Sequence, residues 1–324
     1  MLWFLVGLAV ILSVLSLRGE RSRAAYYRLP PRTGLTPPAT VIVPVKGPDE
    51  GLRENLAALA SLDYPDYELI VAARSMEDLP AGVVPAKVRV VYAGQGDPET
   101  GEKINNLLAG VQAARTESSI YVFADSDGRV SRGWLRALAS ALSEEGVGTA
   151  TGYRWHLPER PDAWSMLRSV WNAVIAGGMG PGKNQFCWGG ATAICRETFE
   201  RLDIPAWWRG AVSDDYRLSE AVKAANLRIV FVPGALVAAT DHCGATELLN
   251  WTRRQMMITR FYAPTLWRLA LFAHLVYCGG MTAAVWLMVH GSWLASIALL
   301  FPVGVGMWKA RTRLRNAAFV MPEY

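Results

Sequence analysis

Ile120-Tyr121-Val122-Phe123-Ala124-Asp125-Ser126-Asp127 is the stretch on which the reading of this chain turns. Its five apolar residues have the length and composition of a buried strand, and the run stops at two carboxylates two positions apart. Residues i and i+2 project to the same side where a strand ends, so two hard oxygen ligands can share one divalent cation. Mg²⁺ or Mn²⁺ is the expected ion, since such a cation is commonly held by one or two carboxylates plus substrate phosphates. A solvated turn is the commoner fate of an isolated Asp-x-Asp. The buried strand before it, apolar segments at both ends of the chain and a second acidic pair downstream favour the metal.

Upstream, Ala39-Thr40-Val41-Ile42-Val43-Pro44-Val45, Tyr67 to Ala72 and Lys87 to Tyr92 read as further strands. Helical spacing of Leu52, Leu56, Leu59 and Leu62 separates the first two, and a helix from Lys103 to Ala114 precedes the strand ending at Asp125. Strands alternating with helices predict an α/β fold, a mostly parallel sheet wound on both faces with ligands at the carboxyl ends of its strands. Downstream, Trp134 to Leu142 reads as a helix, and Thr149 to Trp155 and Leu227 to Val232 as strands. Gly177 to Gly182 reads as a flexible loop.

The chain has 324 residues, 52% of them hydrophobic, and the apolar ones are concentrated. Leu2 to Leu17, Leu269 to Val289 and Ser292 to Trp308 carry no Asp, Glu, Lys or Arg. The second is long enough to span a bilayer, and the other two are near the short limit. Arginine and lysine clusters flank each run: Arg18, Arg21 and Arg23; Arg253, Arg254, Arg260 and Arg268; Lys309, Arg311, Arg313 and Arg315. The positive-inside rule places all three clusters in the cytoplasm and the His290-Gly291-Ser292 turn outside. A cleavable signal peptide is the alternative for the first run, but it lacks a basic start and a small-x-small site. The net charge of +5 comes largely from these flanking clusters. They suit anionic lipid headgroups, and no stripe of basic and aromatic residues points to nucleic acid. Cys187, Cys195, Cys243 and Cys278 show no metal or CxxC spacing and are expected as buried thiols.

Transfer of a sugar from a nucleotide donor needs a cation for the departing diphosphate, a carboxylate for the acceptor's proton and a surface for the nucleotide. Asp125 and Asp127 suit the first task. Asp215, at the start of the helix expected from Asp214-Asp215-Tyr216-Arg217-Leu218, suits the second; plain N-capping is the alternative there. Lys103 could reach a phosphate or stand in solvent. Trp207-Trp208 could form a sugar or lipid platform or belong to the core.

Several motifs together resemble the inverting glycosyltransferases of the GT-A fold, the family of the cellulose, hyaluronan and ceramide glucosyltransferases. They are Val43-Pro44-Val45-Lys46-Gly47-Pro48-Asp49, Asn55-Leu56, Leu62-Asp63-Tyr64-Pro65-Asp66-Tyr67-Glu68, Lys103-Ile104-Asn105-Asn106-Leu107 and Asp125-Ser126-Asp127. The ceramide glucosyltransferase branch is the most similar, from about Thr40 to Arg260. The resemblance implies Asp78, with Glu77 as its neighbour alternative, in nucleotide binding, Asp125 and Asp127 on the metal and Asp215 as catalytic base. It also implies Pro44, Lys46, Lys103, Asp214 and Arg254 in substrate binding. At the family's closing Arg-Trp pair this chain has Met257 and Ile258.

The expected layout is a transmembrane anchor over 1–18, a proline-marked linker over 19–38, a GT-A domain over 39–262 and two transmembrane helices within 263–324. The expected protein is a multi-pass membrane enzyme with its catalytic domain in the cytoplasm. It would move a sugar, expected to be UDP-linked, to a lipid acceptor. A processive polysaccharide synthase and a catalytically silent nucleotide-sugar-binding protein are the rival readings.

Overall fold

A computed structural model describes residues 1–30, 34–182 and 185–323. Pro31, part of the expected linker, lies outside the described residues. The chain divides into two compact units, a sheet unit of residues 29–242 with 317–324 and a helical unit of residues 1–28 with 243–316.

α1 (Leu2–Tyr26) opens the helical unit. The sheet unit then runs β1 (Ala39–Val45), α2 (Leu52–Leu59), β2 (Tyr67–Ala73), β3 (Arg89–Tyr92), α3 (Glu102–Ala113) and β4 (Ile120–Ala124). β5 (Arg129–Val130), α4 (Trp134–Leu142), β6 (Val147–Thr151), β7 (Arg154–His156) and α5 (Ala163–Ala176) follow. β8 (Ala191–Cys195), α6 (Arg196–Arg201), α7 (Ile204–Trp208), α8 (Asp214–Ala224), β9 (Arg228–Phe231) and β10 (Val237–Ala239) complete it. α9 (Ala245–Tyr262), α10 (Pro264–Val289) and α11 (Trp293–Val320) come last.

Seven strands form the main sheet in the order β3-β2-β1-β4-β8-β6-β9. β1 pairs in parallel with both β2 and β4, and β8 is antiparallel to both of its neighbours. Alternation along each strand builds two cores. Val41, Val43 and Val45 of β1 with Val122 and Ala124 of β4 face Leu52, Leu56, Leu135 and Leu138. Ile42, Tyr121 and Phe123 face the other way, against Ile104, Leu107, Phe199 and Trp208. The expected α/β architecture with helices on both faces is therefore present. The chain reverses its winding where β4 is added beside β1, and the end of β4 is where Asp125 stands.

Two features differ from expectation. The strand expected over Thr149 to Trp155 is two strands in two sheets, because a side chain at Gly152 would come 1.9 Å from the Ala235 carbonyl oxygen. The chain bends there into a smaller sheet, β5-β10-β7. β8 was not foreseen: Ala-Thr-Ala-Ile-Cys is short, and its first four residues are buried, so no alternation marks it. Of the two alternatives given for the tryptophan pair, the core one holds for Trp208, which is fully buried with Phe123 and Phe199 at ring-centroid distances of 5.4 and 5.7 Å.

In the helical unit, α1, α10 and α11 are each long and apolar enough to cross a membrane. They extend past the uncharged runs to 25, 26 and 28 residues, so the short-limit expectation for the first and third is relaxed. Val6 packs with Ala283 and Ala284. Glu20 is buried and takes a two-pronged pair from Arg313, the Nη2–Oε2 distance being 2.7 Å. All four cysteines are free thiols; Cys187 and Cys243 are buried, Cys195 is half-buried, and Cys278 is exposed on α10, against the expectation that all would be buried.

Gly152→Ala tests the bend. The added methyl would meet backbone, which cannot swing aside, so overpacking should destabilise the protein by roughly 1–3 kcal/mol. A lower thermal midpoint in detergent is the expected result; an unchanged midpoint would show that the two sheets can part at no cost.

Candidate active site

Two loops first bring the ends of distant elements together. The Thr100 hydroxyl accepts a hydrogen bond from the Gly210 N–H at 2.9 Å, and the Gly101 N–H donates to the Ala211 carbonyl at 2.8 Å. Asn105 braces the same loop, its amide donating to the carbonyls of Asp97 and Thr100. The first turn of α3 is thereby held beside the first turn of α8.

Lys103 occupies that junction. Its Nζ lies 2.8 Å from Asp125 Oδ1 and 3.2 Å from Asp214 Oδ1. Burial alone would lower the ammonium's pKa, but Asp125, Asp214 and Asp215 outweigh it and hold the group above its ordinary value. Asp214 is buried, which raises its pKa; Lys103 opposes the rise, Asp215 and Asp125 add to it, and the group stands at about 6. The carboxylate of Asp214 thus serves Lys103. Asp215 is half-buried, accepts from the Ser213 hydroxyl and the Tyr216 N–H, and has its other oxygen 3.4 Å from the Gly189 N–H.

Around the end of β4, Asn55 of α2 donates to the Ser126 carbonyl at 3.0 Å, and the Ser126 hydroxyl donates to Asp49. Burial is the first cause of a raised Asp49 pKa, with Asp127 and Asp125 adding to it against the Ser126 bond and Arg154. Arg154, at the start of β7, faces the pair: it holds both oxygens of Asp127 and lies 3.1 Å from Asp125 Oδ2. Its guanidinium sits 5.2 Å from the Trp188 ring centroid. Gly189 and Gly190 let the backbone before β8 approach the carboxylates closely. A Cβ at Gly189 would come 2.4 Å from Asp214 Oδ2, and one at Gly190 2.6 Å from Asp125 Oδ2.

Other expected residues lie at the neighbouring strand ends. Pro44 is on β1 and Lys46 follows it, with Nζ 2.8 Å from Glu102 Oε2. Asp78, in a single 3-10 turn after β2, accepts from Ser75 Oγ at 2.9 Å, and its carbonyl accepts from the Gly47 N–H at 2.7 Å. Arg254 is on α9 and belongs to the helical unit. The structure therefore brings Lys103, Asp125, Asp127, Asp214 and Asp215 into one cluster and adds Arg154, Asp49 and Trp188. Arg154 was concealed inside a stretch read simply as strand. Asp49 stood within a quoted motif without a role.

The donor chemistry fits a divalent cation. Among the described residues no group of three Asp, Glu, His or Cys side chains forms a metal cage. Two hard carboxylates at a strand end instead suit an ion that completes its shell with phosphate and water oxygens. Arg154 shows that this point of the site already calls for positive charge.

The chain matches the family model described as Glycosyl transferase family 21 over residues 1–321, and it belongs to that family. It is a glycosyltransferase with a GT-A-like α/β fold, and the ceramide glucosyltransferase-like branch expected from its motifs is the one matched. A mannosyltransferase from Pyrobaculum calidifontis, solved with GDP-Man and Mn2+, is similar in fold, with a TM-score of 0.56 and 17% identity over 97% of this chain and 98% of that one. Glucosyl-3-phosphoglycerate synthase from Mycobacterium tuberculosis, solved with Mn2+ and UDP-glucose, matches at TM-score 0.46 and 19% identity, over 70% of this chain and 79% of that one.

Lys103→Met leaves the buried Asp214 without its cation. Breaking such a pair from one side should cost roughly 3 kcal/mol. Lys46→Met removes a solvent-exposed pair of about the same length and should change stability by no more than about 1 kcal/mol. Thermal midpoints measured side by side check this; equal shifts would mean that Lys103 does not hold the cluster together.

Proposed function

We propose that this glycosyltransferase moves a sugar from a nucleotide-diphosphate sugar, UDP-linked by family likeness, to a lipid hydroxyl, with inversion. The observation that carries the reading is Lys103 bonded to both Asp125 and Asp214. It joins the carboxylates suited to the donor with the helix start that bears Asp215.

Charge supports the donor side. Asp49, Asp125, Asp127, Asp214 and Asp215 face Lys103 and Arg154, an excess of acids in a place meant for an anionic diphosphate. Burial keeps Asp49 and Asp214 easier to protonate, which removes part of the excess. A divalent cation, Mg²⁺ or Mn²⁺, held by Asp125 and Asp127 would supply the rest and neutralise the leaving diphosphate. Arg154, which faces the same carboxylates, is the chain's own group suited to the diphosphate. Arg154 is then the arginine that the sheet unit offers although Met257 and Ile258 stand at the Arg-Trp positions. Asp78 and Lys46, at the ends of β2 and β1, would meet the nucleotide beside Pro44.

Asp215 takes the acceptor's proton. Its oxygens are oriented by Ser213, Tyr216 and Gly189, while Lys103 is paired with Asp125 and Asp214, which supports Asp215 as the carboxylate that takes the proton. The proposed acceptor is a lipid at the cytoplasmic face: three helices are long and apolar enough to cross a membrane, and the positive-inside rule assigns the basic clusters to that side.

Two measurements test this chemistry together. Asp215→Asn should keep UDP-sugar binding and lose transfer by roughly 10²–10⁴-fold, the usual weight of a general base. Donor binding should fall in a chelator and in Asp127→Ala. Undiminished binding without metal would remove the cation from the mechanism, and near-normal transfer in Asp215→Asn would move the base elsewhere.

Topology has its own check. With Arg21→Cys and Ser292→Cys made separately, a membrane-impermeant thiol reagent should reach the two from opposite sides of sealed vesicles. Labelling from one side would mean that α1 or the α10–α11 hairpin does not cross.

A further inference from the structure

α5 is amphipathic in the reverse sense. Trp164, Met166, Leu167, Val170, Trp171 and Val174 form its outward stripe and are each 37–56% exposed. The residues that it buries are Ser165, Arg168, Asn172 and Ala176, three of them polar. A surface helix of a water-soluble domain carries the opposite pattern.

The helix cannot roll to hide the stripe. Arg168 donates to the Asp241 carbonyl at 2.7 Å and pairs with its carboxylate at 2.8 Å. Asn172 donates to the Arg154 carbonyl at 2.8 Å, and Ser169 to the His156 carbonyl at 2.7 Å. Rotation would break these bonds and bury unmatched polar groups. The outward direction of the apolar stripe is fixed by the polar face.

What covers it is indicated by where the helix is tied. Its N-cap Asp162 accepts from the N–H groups of Trp164 and Ser165 and meets His242 Nε2 at 3.0 Å. Asp241 and His242 are the last residues before the chain passes, at Cys243, into the unit that carries the three helices long and apolar enough to cross a membrane. The stripe therefore begins at the point of entry to the bilayer-bound unit, and it includes two tryptophans, the residue type enriched at membrane interfaces.

We propose that α5 lies in the headgroup–acyl boundary of the bilayer that anchors the chain, its Trp164-to-Val174 stripe in the lipid. Helices with one apolar face bind this layer by burying that face. The inference rests on the anchoring read for α1, α10 and α11. α5 also holds the Arg154 carbonyl, so the stripe-bearing helix and the carboxylate site are joined through one strand.

The test uses the full chain in phosphatidylcholine–phosphatidylglycerol vesicles, with p-benzoylphenylalanine at Leu167, Val170 or Val174 in turn and at exposed Lys87 as control. After irradiation, mass spectrometry should find lipid adducts at the first three positions and none at Lys87. Cross-links to a second copy, no adducts, or equal adducts at Lys87 would each overturn the docking. Carbonate extraction of the same vesicles separates the two readings: a chain that is released loses the anchoring and the docking together. A chain that is retained without adducts on α5 loses the docking alone.

Discussion

Lys103 is shared by two carboxylates that stand far apart in the sheet unit's sequence, and the site depends on that arrangement. Asp125 ends β4 and Asp214 starts α8, and both lean on one ammonium. A buried carboxylate with no partner would neutralise or drive its segment outward. With Lys103 present, the start of α8 is held against the strand end, and the Ser213 and Tyr216 bonds to Asp215 can set the remaining carboxylate. The loop bonds of Thr100, Gly101 and Asn105 bring Lys103 to that position before any substrate does.

Arg154 gives the same site a second balance of charge. It is held by burial, two carboxylates and the face of Trp188 at once, so its guanidinium is fixed in place without a ligand. Its hydrogen-bonding fork matches a diphosphate as well as it matches a pair of carboxylates.

The parts of the site that were legible in the sequence are those written locally. Asp125 and Asp127 follow an unmistakable buried strand, and Lys103 and Asp215 begin helices whose spacing is regular. Arg154 was not legible because its role depends on β7 pairing with β10 and on the bend at Gly152, neither of which leaves a periodic mark. Trp188, Gly189 and Gly190 precede β8, whose small residues gave no strand signal and whose antiparallel insertion depends on both neighbours. In α5 the apolar stripe suggests a core-facing helix, while the polar residues at Ser165, Arg168 and Asn172 are the ones that face inward. Periodicity locates an apolar face; it does not say which solvent that face meets.

The small sheet connects the site with the outward helix. β5 carries Arg129, whose Nε donates to Asn55, and Asn55 holds the loop of Asp125 to Asp127. β7 carries Arg154 at one end and His156 at the other, and β10 leads directly to Asp241. A displacement of α5 would pull on the Arg154 carbonyl through Asn172 and on residue 241 through Arg168. The three strands thus connect the carboxylate site with the helix that exposes tryptophan. Splitting one expected strand at Gly152 is what makes that connection possible, since an unbroken strand would have kept Arg154 in the main sheet and away from Asp127.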